Sequence, residues 1–179
     1  MAISRPLSES HQLTAFQSGE PELDRWLREH ARTAEAKGLS RTFVWCDEAG
    51  VVTAYYAISA HRQVRADLPR PVARGNPIEI PAVLIGKLAL DQTMQGESLG
   101  GVLLVDALTR IVRATAVVAA RFVVVDALNE KAAGFYEHHE FRRIPEPVRD
   151  PAGPLPPPPT AACRLVRKVS DIAKSLGLD

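Results

Sequence analysis

The chain has 179 residues, 46% hydrophobic and 24% charged, with a net charge of +1. That length suits one globular domain, and the near-neutral balance excludes a uniformly basic nucleic-acid binder, so any such role needs a local patch. No apolar run approaches the roughly 20 residues that cross a bilayer, and the opening MAISRPLSES has no apolar signal core, so a cytoplasmic protein is expected.

Residues 1–17 show little periodicity, although Leu13 and Phe16 suit an edge element. Ser18-Gly19-Glu20-Pro21 then reads as a helix start with a Ser cap and an early Pro. Leu23, Trp26, Leu27, Ala31 and Ala34 follow at helical spacing opposite Arg25, Arg28, Glu29, Arg32 and Glu35, which predicts one amphipathic helix ending near Gly38. Arg41–Cys46 and Val51–Ala60 read as strands of a hairpin around Asp47-Glu48-Ala49-Gly50. Tyr55 and Tyr56 fall on its opposite faces as packing residues. Cys46 and Cys163 stand alone without metal-ligand spacing, which reads as two buried thiols and no metal site.

Pro69, Pro71, Pro77, Pro81 and Gly75 predict a loop over residues 61–82. From His61 to Gly75 it carries Arg62, Arg65, Arg70 and Arg74 against one acid, Asp67. This is either a solvated loop or a basic lip that grips a polyanion through its phosphates.

Residues 83–114 carry the most chemistry. Val83–Leu90 reads as a buried strand, Asp91–Ser98 as a polar loop containing Gly96, and Leu99 onward as a helix to about Ala114, with apolar Val102, Leu103, Leu108, Ile111 and Val112. A helix's first turn has unpaired N–H groups and a partial positive charge. Gly96, Gly100 and Gly101 leave room there for a phosphate or pyrophosphate to approach the backbone. No Lys-Ser or Lys-Thr follows Gly100, which excludes a Walker-type loop, and the glycine spacing is not that of a dinucleotide fingerprint. A strand-to-helix turn that binds nothing is the other reading.

Arg121–Ala127 is a continuous apolar strand suited to a sheet interior. Asn129–Glu137 reads as a short helix. Residues 145–160 hold eight of the fourteen prolines and read as a stiff surface loop, after which Ala161–Val169 suits a final strand and 170–179 a short helix or tail.

Gln95-Gly96-Glu97-Ser98-Leu99-Gly100 resembles the acyl-CoA pyrophosphate loop, Q/R-x-x-G-x-G/A, of the GNAT acetyltransferase superfamily. Further on, the strand at Val123-Val124-Val125, Asn129, and Phe135-Tyr136 followed by Phe141 resemble the family's later motif, F-Y-x-x-x-G-F. Within the superfamily the chain is most similar to the acetyltransferase toxins of type II toxin–antitoxin pairs. Phe16, Ser18, Gly19, Leu23, Asp24, Trp26 and Leu27 match their F-x-S/C-G-x-x-x-L-D-x-W-L, and Leu84–Asp91 matches L-L/I-G-R/K-L-A-V/L-D. The similarity covers residues 13–142. Two positions depart from it: Ser98 and Glu140 stand where glycine is usual. If Ser98 requires positive φ, the side chain costs on the order of 1–2 kcal/mol.

The resemblance implies an α/β (α+β) GNAT fold, a mixed sheet flanked by helices whose two central parallel strands, near 84–90 and 121–127, splay apart. It implies acetyl-CoA as co-substrate and no metal. The pantetheine would lie between those strands and bond the backbone of Leu88, Ala89 and Leu90. The pyrophosphate would rest on Gln95, Gly96, Glu97, Ser98, Leu99, Gly100 and Gly101, with Asn129, Ala133 and Tyr136 completing the cofactor site. Tyr136 is the candidate general acid, since a phenol, pKa about 10, stays protonated at neutral pH. His138 and His139 are weaker candidates as bases. The implied substrate is the α-amino group of aminoacyl-tRNA, gripped by Arg62, Arg65, Arg70 and Arg74. A ribbon-helix-helix antitoxin and a homodimer are implied as partners, with no membrane. Two alternatives stay open: an acetyltransferase for a small amine or protein N-terminus, and an acyl-CoA-binding interaction module that has lost turnover.

Overall fold

The computed structural model describes residues 4–145 and 163–178. In chain order the elements are β1 (Arg5–Pro6), α1 (Pro21–Glu29), α2 (Ala31–Ala36), β2 (Arg41–Cys46), β3 (Val52–Val64), α3 (Arg70–Ala73), β4 (Glu79–Leu90), α4 (Leu99–Ala114), β5 (Phe122–Ala127), α5 (Glu130–His138), β6 (Arg142–Arg143), β7 (Cys163–Lys168) and α6 (Val169–Leu176). The strands form a seven-stranded sheet in the order β1-β2-β3-β4-β5-β7-β6, so the expected α/β class with a mixed sheet holds. The pairs β1–β2, β2–β3, β5–β7 and β6–β7 are antiparallel. Strands β4 and β5 are neighbours in the sheet and are joined in sequence through α4. The Pro-rich segment expected over 145–160 lies, from residue 146 on, outside the described residues.

The chain divides into two compact units: Met1–Ala60 with Ile85–Ala114, and His61–Leu84 with Thr115–Asp179. In the first, the expected single helix is two, α1 and α2, meeting at His30. The backbone bonds continue across the joint, His30 N to Trp26 O and Ala34 N to His30 O, so it is a bend, not a loop. Ser18 is not the helix cap. Glu20 holds that position without a side-chain bond, and Ser18 turns to Asp24. Its N and Oγ both donate to Asp24 Oδ1, at 2.8 and 2.5 Å. Both residues are buried. Gly19, at φ +90°, makes the reversal between them, and a Cβ there would lie 2.9 Å from Gln92 Nε2. The remaining residues of that motif form core: Phe16 and Leu27 are fully buried, and Trp26 stacks on Tyr55, whose hydroxyl donates to Leu23 O. Tyr56 stacks on Phe43 and its hydroxyl meets Ser4, Asp106 and Arg110. Helix α4 buries Leu103, Leu104, Ala107, Leu108, Ile111 and Val112, one face at helical spacing.

In the second unit, β5 is buried from Phe122 to Val125, as its unbroken apolar run requires. It packs in a cluster with Leu68, Val72, Ile80, Ala82, Ile144 and Val166. Residues 61–82 are not the expected loop. β3 runs on to Val64, a 3-10 turn follows at Arg65–Asp67, α3 accepts Pro71 in its first turn, and β4 starts at Glu79. Pro81 sits inside β4, and its carbonyl accepts from Arg121 N. Cys46 and Cys163 are free and half-buried.

Candidate active site

In the first unit, β4 delivers Leu88, Ala89 and Leu90 to a turn at Asp91. Asp91 organises the turn. Its Oδ1 accepts from Thr93 N (3.0 Å) and Oγ1 (2.7 Å), and its Oδ2 accepts from Gln17 N (2.8 Å). Burial pushes the carboxyl's pKa up, but these bonds outweigh it and hold it below the ordinary value. Gln95 Nε2 donates to Ser18 O at 2.7 Å and Leu90 O at 3.1 Å, so this side chain braces the loop and leaves its backbone to meet a ligand. Gly96 has φ +89° and open space where a Cβ would project. Ser98 has φ +59°, Gly101 N donates to Ser98 O, and α4 starts at Leu99. Gly100 and Gly101 occupy the first turn of α4, which contains no acidic side chain. The loop therefore fits an anionic pyrophosphate: bare backbone, an exposed approach and a helix N-terminus.

The strain expected at Ser98 is present, since a left-handed backbone disfavours a side chain. Ser98→Gly should raise stability by about 1 kcal/mol and leave acetyl-CoA affinity equal or higher. Thermal unfolding and calorimetric titration check both. A clear loss of affinity would make the serine side chain a ligand in its own right.

In the second unit, Asn129 caps α5, its Oδ1 accepting from Ala132 N at 2.9 Å. At the other end, Phe141 N bonds Tyr136 O and Glu140 N bonds Glu137 O, a Schellman closure with Glu140 at φ +64°. Arg143 on β6 clamps the exposed face of α5 through Glu130 and Glu137. Ala133 and Tyr136 face inward and are buried. The Tyr136 ring packs edge-on to Phe135 and Phe141. Burial first, and the charge of Asp126 second, raise its pKa well above that of an ordinary phenol. It is a proton donor across the physiological range. His138 is exposed, and His139 is half-buried. Burial, then His138 and Arg167, lower the His139 pKa.

Sequence reasoning missed a charged group in this unit. Asp126 on β5 and Arg164 on β7 are register partners and pair bidentately at 2.7 and 2.8 Å. Arg164 Nη1 lies 3.4 Å from His61 Nε2. Burial, then Arg164, lower the His61 pKa. The one signal available was an Asp inside the apolar run Phe122–Ala127.

The four arginines of the expected basic lip have different surroundings. Arg62 lies on β3 and pairs with Glu79. Arg65 Nη1 donates to Asn76 O and closes the turn before β4. Arg70 and Arg74, at either end of α3, are exposed and make no side-chain bond among the described residues. Among those residues no cluster of His, Cys, Asp or Glu suits a metal, and no helix is long and apolar enough to cross a membrane.

The seven-stranded mixed sheet flanked by helices, with a glycine-bearing loop before α4 and a tyrosine-bearing α5, is the GNAT fold expected from the sequence motifs. No family model matches the chain. It is 39% identical over 141 residues to a tRNA-acetylating toxin of Mycobacterium tuberculosis (strain ATCC 25618 / H37Rv), covering 79% of this chain and 84% of that protein. Among solved structures it is similar to AtaT complexed with acetyl-methionyl-tRNAfMet, with TM-score 0.79, 24% identity, and coverage of 99% and 98% of the two chains. A tyrosine-to-phenylalanine mutant of AtaT, bound to the C-terminus of the antitoxin AtaR and acetyl-CoA, gives TM-score 0.74, 23% identity and 97% coverage of each. The chain belongs to the family of tRNA-acetylating toxins, acetyl-CoA-dependent N-acetyltransferases of the GNAT fold.

Proposed function

We propose that this protein, acting as a single domain, acetylates the α-amino group of aminoacyl-tRNA and thereby blocks translation. The similarity to a tRNA-acetylating toxin along most of both chains carries this reading. Acetyl-CoA supplies the activated acyl group as a thioester. The backbone of Gln95, Gly96, Glu97, Ser98, Leu99, Gly100 and Gly101 holds its pyrophosphate, and Leu88, Ala89 and Leu90 bond its pantetheine, with Asn129 and Ala133 beside it. The Leu88 N–H polarises the acyl carbonyl. The neutral amine attacks directly. A free α-amine has a pKa of about 8, esterification to tRNA lowers it, and so no dedicated base is needed near neutral pH. As the C–S bond breaks, Tyr136 gives its proton to the departing thiolate, and the newly acylated nitrogen releases its surplus proton to solvent. Solvent reprotonates Tyr136, whose raised pKa keeps it in the donor form. Intact-mass analysis of charged tRNA incubated with the protein and acetyl-CoA tests the reading: one added acetyl on the aminoacyl end supports it, and no mass gain by an acetyl-CoA-binding protein refutes it.

Arg62, Arg65, Arg70 and Arg74 serve this function unequally. Arg62 and Arg65 are engaged within the fold, so Arg70 and Arg74 carry the electrostatic grip on tRNA. Arg70→Glu with Arg74→Glu should weaken tRNA binding by roughly tenfold at low salt and much less at high salt, with acetyl-CoA binding unchanged. Filter binding at two salt levels reads this, and equal affinity at both would remove the lip from the RNA site. The protein acts in the cytoplasm as a homodimer, neutralised by a ribbon-helix-helix antitoxin. AtaT bound to the C-terminus of its antitoxin AtaR supports the antitoxin partner.

A further inference from the structure

Two local strains meet at the end of β7. Glu140 holds a left-handed backbone, although its side chain disfavours it. Its carboxylate, 72% exposed, pairs with the Arg167 guanidinium, whose side chain is 9% exposed. Arg167 Nη2 donates to both this carboxylate and Ser175 Oγ, whereas Arg167 Nε is buried without a hydrogen-bond partner among the described residues. A buried, unsatisfied guanidinium N–H is costly. Arg167 lines a cavity of about 90 Å³ together with Pro71, Phe122, Arg142 and Lys168. Glu140 and Asp171 are the acids at its border. Arg142 is exposed beside it, and Arg70 and Arg74 flank Pro71 and Val72 on α3.

The Nε–Nη2 edge of a guanidinium is a fork that matches two oxygens of one phosphate. Glu140 satisfies one prong only. We propose that this crevice binds a single phosphodiester of the tRNA backbone, and that Glu140 is a built-in competitor which the phosphate displaces. Arg142, Lys168, Arg70 and Arg74 lie around the crevice, a run of cations that suits a polyanion more than a lone ion. The inference rests on the tRNA substrate proposed above.

Binding of deacylated tRNA by the full chain, at about 50 and 200 mM salt, reads the crevice without requiring acetylation. Glu140→Gln keeps the side chain's shape and removes the competing charge, so tRNA should bind several-fold tighter at low salt. Arg142→Gln with Lys168→Gln, at surface positions that spare the buried Arg167, should weaken binding and reduce the salt slope by about one. Affinity and slope equal to wild type in both variants overturn the proposal. So does unchanged tRNA binding alongside loss of poly-L-glutamate binding in the double variant, which would assign an acidic polypeptide, or alongside loss of inorganic phosphate alone, which would assign a small anion. Acetylation of charged tRNA by the wild type, measured in parallel, reports on the substrate by itself: its failure with these binding shifts intact strikes the substrate reading and spares the crevice.

Discussion

Tyr136→Phe is expected to lower kcat by about 10²–10⁴-fold, the usual loss when a general acid is removed. The ring is held edge-on between Phe135 and Phe141 inside a buried site, so phenylalanine keeps the packing and loses only the hydroxyl. The pH profile adds a second readout. The amine must be neutral, so the rate should rise with pH up to the amine's pKa, which esterification places below the free value of about 8, and then level off. The acid must stay protonated, and burial together with Asp126 moves its pKa upward, so no falling limb should appear below pH about 10. A phenylalanine variant that acetylates at near wild-type rate, under saturating acetyl-CoA with chemistry rate-limiting, would remove Tyr136 from the acid role.

Gly100→Asp is expected to weaken acetyl-CoA binding on the order of 100-fold, since it replaces a bare backbone approach with a carboxylate and opposes charge-assisted bonds of about 1.5–3 kcal/mol. Gly100 lies in the first turn of α4, where an acid favours the helix itself, so the fold should survive. Calorimetric titration of a variant with wild-type thermal unfolding gives the answer, and unchanged affinity would move the cofactor elsewhere.

Much of this was legible in the chain. β2 has the bounds its β-branched and aromatic run predicts, and α4 ends at Ala114 as expected. The two departures from the glycine pattern, Ser98 and Glu140, are the two non-glycine residues with positive φ among those described, so a family motif reported a backbone angle. Local punctuation misled over residues 61–82. Two of the four prolines there sit within regular elements: Pro71 in the first turn of α3, where no N–H is needed, and Pro81 inside β4, where its carbonyl accepts from Arg121 N. What ordered the segment was tertiary, as with Arg65 reaching Asn76 and Leu68 and Val72 entering the core. Pairing between distant charges, such as Asp126 with Arg164, leaves no periodic trace at all.

The stitching of the N-terminal segment to the cofactor loop has a consequence for motion. Gln17 N, Gln17 O and Ser18 O hold Asp91, Gln92 and Gln95, and Ser18 is itself fixed by Asp24. Two stretches more than seventy residues apart thus share one set of amide protons. The amides of Gln17, Ser18 and Gln92 should exchange with solvent as a single cooperative unit, with one opening free energy. Loosening Asp24, which is remote in sequence from the loop, would then release residues 91–95 in the same event.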